Sequence, residues 1–296
     1  MPESPAIEIK NLTKSYGKFR ALRGIDLEVE RGEIFGFLGP NGAGKTTAIR
    51  CLLDLIRPDS GQLRVLGLDP QHDPVAVRAK AGYLPGELNL DDNLTARQAL
   101  QLFGRLRGNP TDWTYVEATA DRLQLALDRQ IKNFSKGNKQ KVGVIQAFMH
   151  RPEILLLDEP TSGLDPLMQQ VVTALVLEAQ SRGATIFFSS HVLSEVQEIA
   201  ARVAIVRSGE IIETSNTETL IRRSFLNASF TLSEPLDPAG LESVPGVTLL
   251  HQHDTTYHVK VVGSIGQLLE KITPLGVKTL ETSRPSLEEI FLNYYS

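Results

Sequence analysis

One glycine-rich segment constrains the fold of this chain more than any other feature. It fits the phosphate-loop pattern G-x-x-x-x-G-K-[ST] and reads Gly39-Pro40-Asn41-Gly42-Ala43-Gly44-Lys45-Thr46, followed by Thr47. The apolar run 33–38 before it predicts a buried strand, and residues 48–55 after it predict a helix. Glycines let consecutive N–H groups approach phosphate oxygens, and the start of a helix adds its positive end. A glycine-rich turn that matches by accident does not explain this context, so the segment predicts an α/β core that binds nucleotide phosphates.

Two carboxylates extend the predicted phosphate site. The apolar run 154–157 reads as a buried strand that ends in Asp158 and Glu159. Open parallel sheets place their ligands at this end of their strands. We expect Lys45 to reach the β- and γ-phosphates, and Thr46 and Asp158 to hold Mg²⁺. Glu159 is then placed to polarise an attacking water.

Weaker signals accompany the phosphate loop. His191 follows the strand predicted at 185–188, at the same end of the sheet as Asp158, which favours a functional role. Tyr16 lies at a predicted loop tip, where it either stacks on a base or is an ordinary turn residue. The segment 134–141 predicts a helix start that could bind an anion. Its lysines at 136, 139 and 141 favour a solvated basic face.

Composition excludes several classes of protein. The net charge of −4 gives no electrostatic support to nucleic-acid binding. Cys51 is the only cysteine, which excludes an internal disulfide and suits a reducing compartment, and its place on the first helix favours a small buried residue. No apolar run approaches the roughly 18 residues of a spanning helix, and the N-terminus lacks a signal-peptide pattern. We therefore expect a cytosolic chain that meets a membrane only through a partner.

The pattern of elements predicts two domains, at 5–224 and 225–296. Residues 93–150 read as a helical insert that begins with a Thr95/Gln98 capping box, and 202–213 as a hairpin that ends the core. The tail predicts strands at 225–232, 247–252, 257–262 and 277–282. It also predicts helices at 238–243, at 265–272 and from Ser286, where Leu287, Ile290 and Phe291 form an apolar face. This order is typical of a small α+β, ferredoxin-like module. The tail histidines at 251, 253 and 258 favour a solvated strand edge over a metal site.

The order of these motifs over residues 5–220 resembles the ATP-binding subunit of ABC transporters. Residues 39–46 resemble its Walker A loop and 154–159 its Walker B strand. Residues 134–138 stand in the place of its LSGGQ signature, and 162–165 resemble its D-loop. His191 resembles its switch histidine, and Tyr16 the aromatic residue that stacks on adenine. The resemblance implies a P-loop ATPase core with a mixed sheet and a helical subdomain at about 90–150.

The resemblance also implies partners and cofactors. Two such subunits sandwich two ATP molecules head to tail, so that Ser135 and Gly137 would complete the partner's site. ATP and Mg²⁺ are the implied cofactors. An integral membrane permease on a separate chain is the implied partner, with this chain peripheral on the inner face of the cell membrane. The variant signature resembles bacterial exporter-type ATPases, which implies export.

Two positions depart from the family pattern. The signature Phe134-Ser135-Lys136-Gly137-Asn138 lacks one glycine and the final glutamine. The Q-loop glutamine, a ligand of Mg²⁺ in the family, falls on Gly86, which has no side chain. Either Glu87 substitutes through a local shift, or water completes the metal shell. The sequence leaves these two alternatives open.

We therefore expect an ATP-hydrolysing subunit in which Glu159 is the general base and His191 contacts the γ-phosphate. The alternative is a soluble ABC-type ATPase switch that acts on ribosomes or chromosomes instead of a permease. A single phosphate loop and the lack of long heptad segments disfavour it. A nucleotide-binding regulator without turnover is disfavoured by the presence of Glu159 and His191. The sequence does not identify a transported substrate.

Overall fold

The computed structural model describes residues 4–108, 111–219, 225–237, 240–241 and 243–283. The chain forms two compact units, Met1–Thr214 and Ser215–Ser296. The boundary predicted at residue 224 lies outside the described residues. Within them, no helix is both long enough and apolar enough to cross a membrane.

The first unit alternates strands and helices. Its strands are β1 (Ile7–Tyr16), β2 (Phe19–Val29), β3 (Ile34–Leu38), β4 (Ser60–Val65), β5 (Ala81–Leu84), β6 (Ile154–Asp158), β7 (Thr185–Ser190), β8 (Arg202–Arg207) and β9 (Glu210–Asn216), whose last two residues follow the end of the unit. Its helices are α1 (Lys45–Leu52), α2 (Pro74–Lys80), α3 (Ala96–Arg107), α4 (Trp113–Arg122), α5 (Lys136–Phe148), α6 (Pro166–Ser181) and α7 (Leu193–Ile199). The predicted α/β core is therefore confirmed.

A six-stranded sheet with the order β5-β6-β7-β3-β8-β9 carries the site. The pairs β5–β6, β6–β7, β7–β3 and β3–β8 are parallel. Strands β3, β6 and β7 are buried along their whole length, as central strands of a sheet covered on both faces are. Asp158 pairs with Ser189 and Leu38 pairs with Ser190, so the ends of these strands meet at one edge.

A second sheet of the first unit has the order β2-β1-β4. Strands β1 and β2 form an antiparallel hairpin, with Tyr16 opposite Phe19 at its turn, where the sequence predicts a loop tip. The helices α3, α4 and α5 form the predicted insert between β5 and β6. Thr95 and Gln98 make the predicted capping box at the start of α3. Cys51 is completely buried, and burial raises the pKa of its thiol to about 12, so its predicted role as a small core residue is confirmed.

The second unit is a four-stranded antiparallel sheet with one described helix. It contains β10 (Leu226–Leu232), β11 (Val247–His253), β12 (Thr256–Val261), α8 (Gly266–Ile272) and β13 (Val277–Ser283). The order β11-β12-β10-β13 places the first and third strands in the middle, as in the predicted ferredoxin-like module. Phe230 stacks on Tyr257 at 5.5 Å in its core. The Tyr257 hydroxyl donates to the Leu236 carbonyl at 2.9 Å, so this buried polar group is satisfied.

Some predictions for the tail fall outside the described residues. They are the final helix from Ser286 with its apolar residues, and residues 238, 239 and 242 of the helix predicted at 238–243. Of that helix, Gly240 and Leu241 are described as helical. The three tail histidines are exposed, and His251 and His253 lie on the edge strand β11. Among the described residues, no group of three or more histidine, cysteine or acidic side chains could hold a metal ion.

Candidate functional site

The phosphate loop connects the end of β3 to the start of α1 and requires glycine at two positions for different reasons. Gly44, the residue before α1, has a φ of 106°. A Cβ there would also lie 2.6 Å from the Ala21 carbonyl oxygen. Gly39 has an ordinary φ, but its Cβ would lie 2.3 Å from the Val206 carbonyl oxygen. The loop is thus packed against neighbouring backbone, and it leads directly into the N-terminal end of α1, where a helix favours an anion.

Lys45 lies under the loop with its ammonium group enclosed. Its side chain is 5% exposed, and Nζ donates to the Gly39 carbonyl at 2.6 Å and to the Pro40 carbonyl at 3.3 Å. Nζ also lies 3.4 Å from Glu159 Oε1. Burial lowers the pKa of Lys45, and the Glu159 carboxylate opposes that shift. A buried cation beside the loop can bind phosphate oxygens with little loss to solvent screening.

Asp158 and Thr46 meet although 112 residues separate them in the chain. Thr46 Oγ1 donates to Asp158 Oδ2 at 2.7 Å, and Ser189 Oγ donates to Asp158 Oδ1 at 2.5 Å. Asp158 is 1% exposed, so both of its oxygens are held by neighbouring hydroxyl groups inside the protein. The hydroxyl and the carboxylate form a set of oxygen donors of the kind that Mg²⁺ prefers.

Glu159 lies between the lysine and the histidine. His191 Nδ1 is 3.1 Å from Glu159 Oε1, the same oxygen that faces Lys45. The backbone of Glu159 has a φ of 51°, a left-handed conformation that costs a non-glycine residue about 1–3 kcal/mol. Its N–H points at Ser189, with 3.2 Å to the carbonyl oxygen and 3.2 Å to Oγ. The fold therefore holds this carboxylate in place at the cost of backbone strain.

A shallow cleft of about 160 Å³ joins the phosphate loop to the hairpin turn. Tyr16 and Phe19 line one side, and Lys45, Thr46 and Glu159 line the other. Tyr16 is 47% exposed and Phe19 is 60% exposed, so both rings are free to stack on a ligand. Sequence reasoning singled out Tyr16 and missed Phe19. The available signal in the sequence was a second aromatic residue only three positions after Tyr16.

The signature residues lie apart from this cleft. Ser135 caps α5, where its Oγ accepts from the Asn138 N–H at 3.3 Å. A Cβ on Gly137 would lie 2.7 Å from the Gly163 carbonyl oxygen, so the start of α5 packs on the turn at 162–165. Neither Ser135 nor Gly137 lines the cleft with Lys45. Within one copy, the structure does not bring them to the phosphate loop.

The prediction of a solvated basic face on α5 is wrong for one of its lysines. Lys141 is only 9% exposed, because its side of the helix packs into the protein. Lys139 pairs with Asp92 at 2.9 Å, and Lys136 is exposed. The pattern of three lysines at short spacing hid the fact that they lie on different sides of the helix.

Gln140 is a site residue that sequence reasoning missed. It is 4% exposed, and its Nε2 donates to the carbonyls of Glu159 at 3.2 Å and Pro160 at 3.1 Å. These two bonds connect α5 to the backbone that follows the β6 strand. A glutamine in a lysine-rich helical turn gives no sequence signal for this burial.

Gly86, which replaces the Q-loop glutamine, and Glu87, its possible substitute, are placed differently. A Cβ on Gly86 would lie 3.1 Å from Asp158 Oδ2. Glu87 is exposed. The backbone thus brings position 86, and not position 87, to the buried carboxylate.

Comparison with known proteins adds to this geometry. Residues 22–162 match the family model described as ABC transporter, and residues 219–295 match the ATP-binding protein DrrA1-3-like C-terminal domain. The bacitracin transport ATP-binding protein BcrA of Enterococcus faecalis is 33% identical, covering 96% of this chain and 94% of that protein. The daunorubicin resistance ATP-binding protein DrrA3 of Streptomyces coeruleorubidus is 31% identical over 97% of this chain and 95% of its own length.

Solved structures share the fold of the first unit. The ATP-binding subunit of an ABC transporter superposes with a TM-score of 0.68 and 28% identity, over 73% of this chain and 92% of that one. The dimeric ATP-binding cassette MJ0796, bound to ADP and Pi in a post-hydrolysis state, superposes with a TM-score of 0.65. That match covers 71% of this chain and 98% of the cassette, and at 23% identity it supports the fold alone.

Proposed function

This chain belongs to the family of ABC transporter ATP-binding subunits and is an ATPase, and from that premise we propose that it drives export through a permease on a separate chain. One observation carries the assignment of its catalytic residues. Lys45, Glu159 and His191 meet around a single carboxylate oxygen beside the phosphate loop. A cation can stabilise charge on the phosphates, and a carboxylate with a neighbouring ring nitrogen can accept a proton from water.

The phosphate side of the site would work through Lys45 and the loop. The N–H groups of residues 41, 42 and 44–47 and the Lys45 ammonium group would bind the β- and γ-phosphates. Thr46 and Asp158 would hold Mg²⁺, which would supply positive charge beside the phosphate oxygens. Their hydrogen bond at 2.7 Å supports this proposal, because it places the two oxygens next to each other.

The water side of the site would work through Glu159 and His191. Glu159 accepts a proton from the attacking water as the water oxygen bonds to the γ-phosphorus and the bond to the bridging oxygen breaks. His191, 3.1 Å from the carboxylate, orients it and contacts the γ-phosphate. Phosphate oxygens compete with Glu159 for Lys45, so nucleotide binding frees the carboxylate for water.

The shape of the cleft supports a head-to-tail dimer. Its volume of about 160 Å³ is well below the roughly 300–1,000 Å³ of pockets that enclose a ligand of this size. Ser135 and Gly137 lie outside it, and the start of α5 carries the positive end of a helix. We propose that this helix end closes the cleft of a second copy, as the resemblance of the signature implies.

Export and the separate permease rest on the relatives. Proteins matched along nearly their whole length are described as ATP-binding proteins of bacitracin transport, linearmycin resistance and daunorubicin resistance. Resistance through transport requires that a compound leave the cell, so we propose the same direction here. The subunit would then work in the cytoplasm, bound to the inner face of the membrane through its permease.

Reconstitution with a permease tests this proposal. The chain is expressed together with a polytopic membrane protein, sought first in the adjacent reading frames, and ATPase activity is measured in vesicles with and without that protein. We expect an ATPase rate that depends on the permease, and no such gain for Glu159→Gln. An ATPase rate that is unchanged by the membrane proteins tested but is raised by ribosomes or chromosomal protein would support the soluble switch instead.

A further inference from the structure

A carboxylate outside the residues assigned above connects two loops of the site. Glu195 lies on α7, and its Oε1 accepts a hydrogen bond from Thr161 Oγ1 at 2.5 Å. Its Oε2 accepts one from Ser190 Oγ at 2.7 Å. Thr161 is two residues after Glu159, and Ser190 directly precedes His191. One side chain therefore joins the segment that carries the glutamate to the segment that carries the histidine.

The surroundings of this carboxylate make its two bonds strong. Thr161 is 8% exposed and Ser190 is 1% exposed, so both hydroxyl groups are shielded from water. Hydrogen bonds to an ionised acceptor are roughly twice as strong as neutral ones. Ser190 Oγ also accepts from the Val192 N–H at 2.9 Å, which closes the turn around His191. Glu195 thus joins the histidine turn to the Glu159 segment at Thr161, in addition to the Ser189 bonds to the Glu159 N–H and the contact between His191 and Glu159.

Glu159 needs such support because its backbone is strained. A φ of 51° in a non-glycine residue persists only where the neighbouring structure holds it. Gln140 holds one side of the segment through the carbonyls of Glu159 and Pro160. Glu195 holds the other side through Thr161.

Resting on the proposed roles of Glu159 and His191, we propose that Glu195 is a positioning residue for ATP hydrolysis. Its carboxylate holds the His191 turn against the segment 159–161, which keeps His191 Nδ1 within hydrogen-bond distance of Glu159. It touches neither the phosphate loop nor Lys45. Loss of Glu195 therefore slows turnover and leaves nucleotide affinity almost unchanged.

Separate measurements of kcat and of nucleotide affinity test the proposal. For Glu195→Ala in the full chain, we expect kcat to fall about tenfold or more, which corresponds to the loss of one strong bond in the transition state. The Kd for a non-hydrolysable ATP analogue should stay within about twofold, since the phosphate-binding groups are untouched. Glu195→Gln keeps the shape and both bonds, because hydroxyl groups can reverse their donor direction, and should recover most of the activity. Glu198→Ala, an exposed residue of the same helix, is the matched control and should keep the normal rate.

A double-mutant cycle with His191 separates positioning from general stabilisation. If Glu195 acts through His191, Glu195→Ala should lower kcat by less than about threefold in the His191→Ala background. The proposal would be overturned if the two substitutions lowered kcat by fully multiplicative factors. It would also be overturned if Glu195→Ala had a normal kcat, or if it lost ATP affinity in parallel with kcat. If Glu195→Ala does not fold, Thr161→Val and Ser190→Ala remove one bond each and take its place in the cycle.

The same measurements distinguish failure of the positioning role from failure of the proposed site. If Glu159→Gln and His191→Ala both hydrolyse ATP at the normal rate, the site roles are wrong whatever Glu195 does. If those two variants are slow and Glu195→Ala is not, only the positioning role is wrong.

Discussion

Replacing Gly86 by alanine adds one carbon beside the proposed metal carboxylate. The new Cβ would lie 3.1 Å from Asp158 Oδ2 and 3.4 Å from its Cγ. That contact is a few tenths of an ångström too short, so either the backbone at 86 or the carboxylate must move. Asp158 cannot move freely, because Ser189 and Thr46 hold its two oxygens at 2.5 and 2.7 Å. The substitution therefore strains the groups proposed to hold Mg²⁺.

The expected size of the effect follows from this overlap. Extra atoms in a packed site typically cost about 1–3 kcal/mol. If most of the lower value falls on the metal site, the Mg²⁺ concentration for half-maximal ATPase rises about fivefold, because 1.4 kcal/mol is a factor of about ten. The maximal rate at saturating Mg²⁺ should fall less, since neither Lys45 nor Glu159 is displaced.

The assay is ATP hydrolysis as a function of free Mg²⁺ at saturating ATP, for Gly86→Ala and for Glu87→Ala. The exposed Glu87 should be replaceable with no change in Mg²⁺ dependence. Identical Mg²⁺ curves for Gly86→Ala and the unmodified protein would refute the reasoning that position 86 faces the metal carboxylate. A raised Mg²⁺ requirement in Glu87→Ala alone would show instead that Glu87 reaches the metal after a local shift.

Further predictions concern the lysine, the aromatic residue, a buried histidine and the tail. Lys45→Ala should abolish hydrolysis and weaken ATP binding in a fluorescent-nucleotide titration, since no other described cation touches the loop carbonyls; normal affinity and rate would contradict the phosphate-loop assignment. Tyr16→Ala should weaken ATP binding by roughly the 1–3 kcal/mol of a base stack, and an unchanged Kd would leave it an ordinary turn residue. Burial and the charge of Arg107 lower the pKa of His150 in the folded chain from 6.5 to about 4. Between these pH values the unfolded chain binds a proton that the folded chain does not bind, so the stability present above pH 6.5 is lost as the pH falls toward 4. His150→Gln should flatten that part of the unfolding free energy measured by urea titration, and an unchanged slope would contradict it. A chain ending at Ser224 should still bind ATP, because no nucleotide contact is assigned to the tail; loss of binding would argue against two separate domains.

The sequence was sufficient where local pattern decides structure. The glycine spacing at 39–44 and the apolar runs on either side predict a strand, a loop and a helix without any distant contact. The meeting of Thr46 with Asp158 was also predictable, because buried parallel strands end at a common edge. The four tail strands were also predicted within a residue at each end, and the sheet order agrees with the predicted module.

The sequence was insufficient where a polar side chain is buried by a distant segment. Gln140 and Glu195 are polar residues on helices, and local pattern places such residues in solvent. Their partners at 159–161 lie 19 to 34 residues away, and only the packing of the helices against the β6 edge brings them together. Lys141 was assigned to solvent for the same reason. The position of Gly86 against Asp158 also depends on two strands being neighbours, which no single segment reveals.

The most direct test of the central claim is the turnover of Glu159→Gln. The variant keeps Lys45, Thr46 and the phosphate loop, so it should bind ATP with nearly normal affinity. Its rate of hydrolysis should fall about 10²–10⁴-fold, the usual loss when a positioned base is removed. With ATP bound and not hydrolysed, it should elute as a dimer in size-exclusion chromatography. Turnover at the rate of the unmodified protein would contradict the assignment of Glu159 as the base and with it the mechanism proposed for this site.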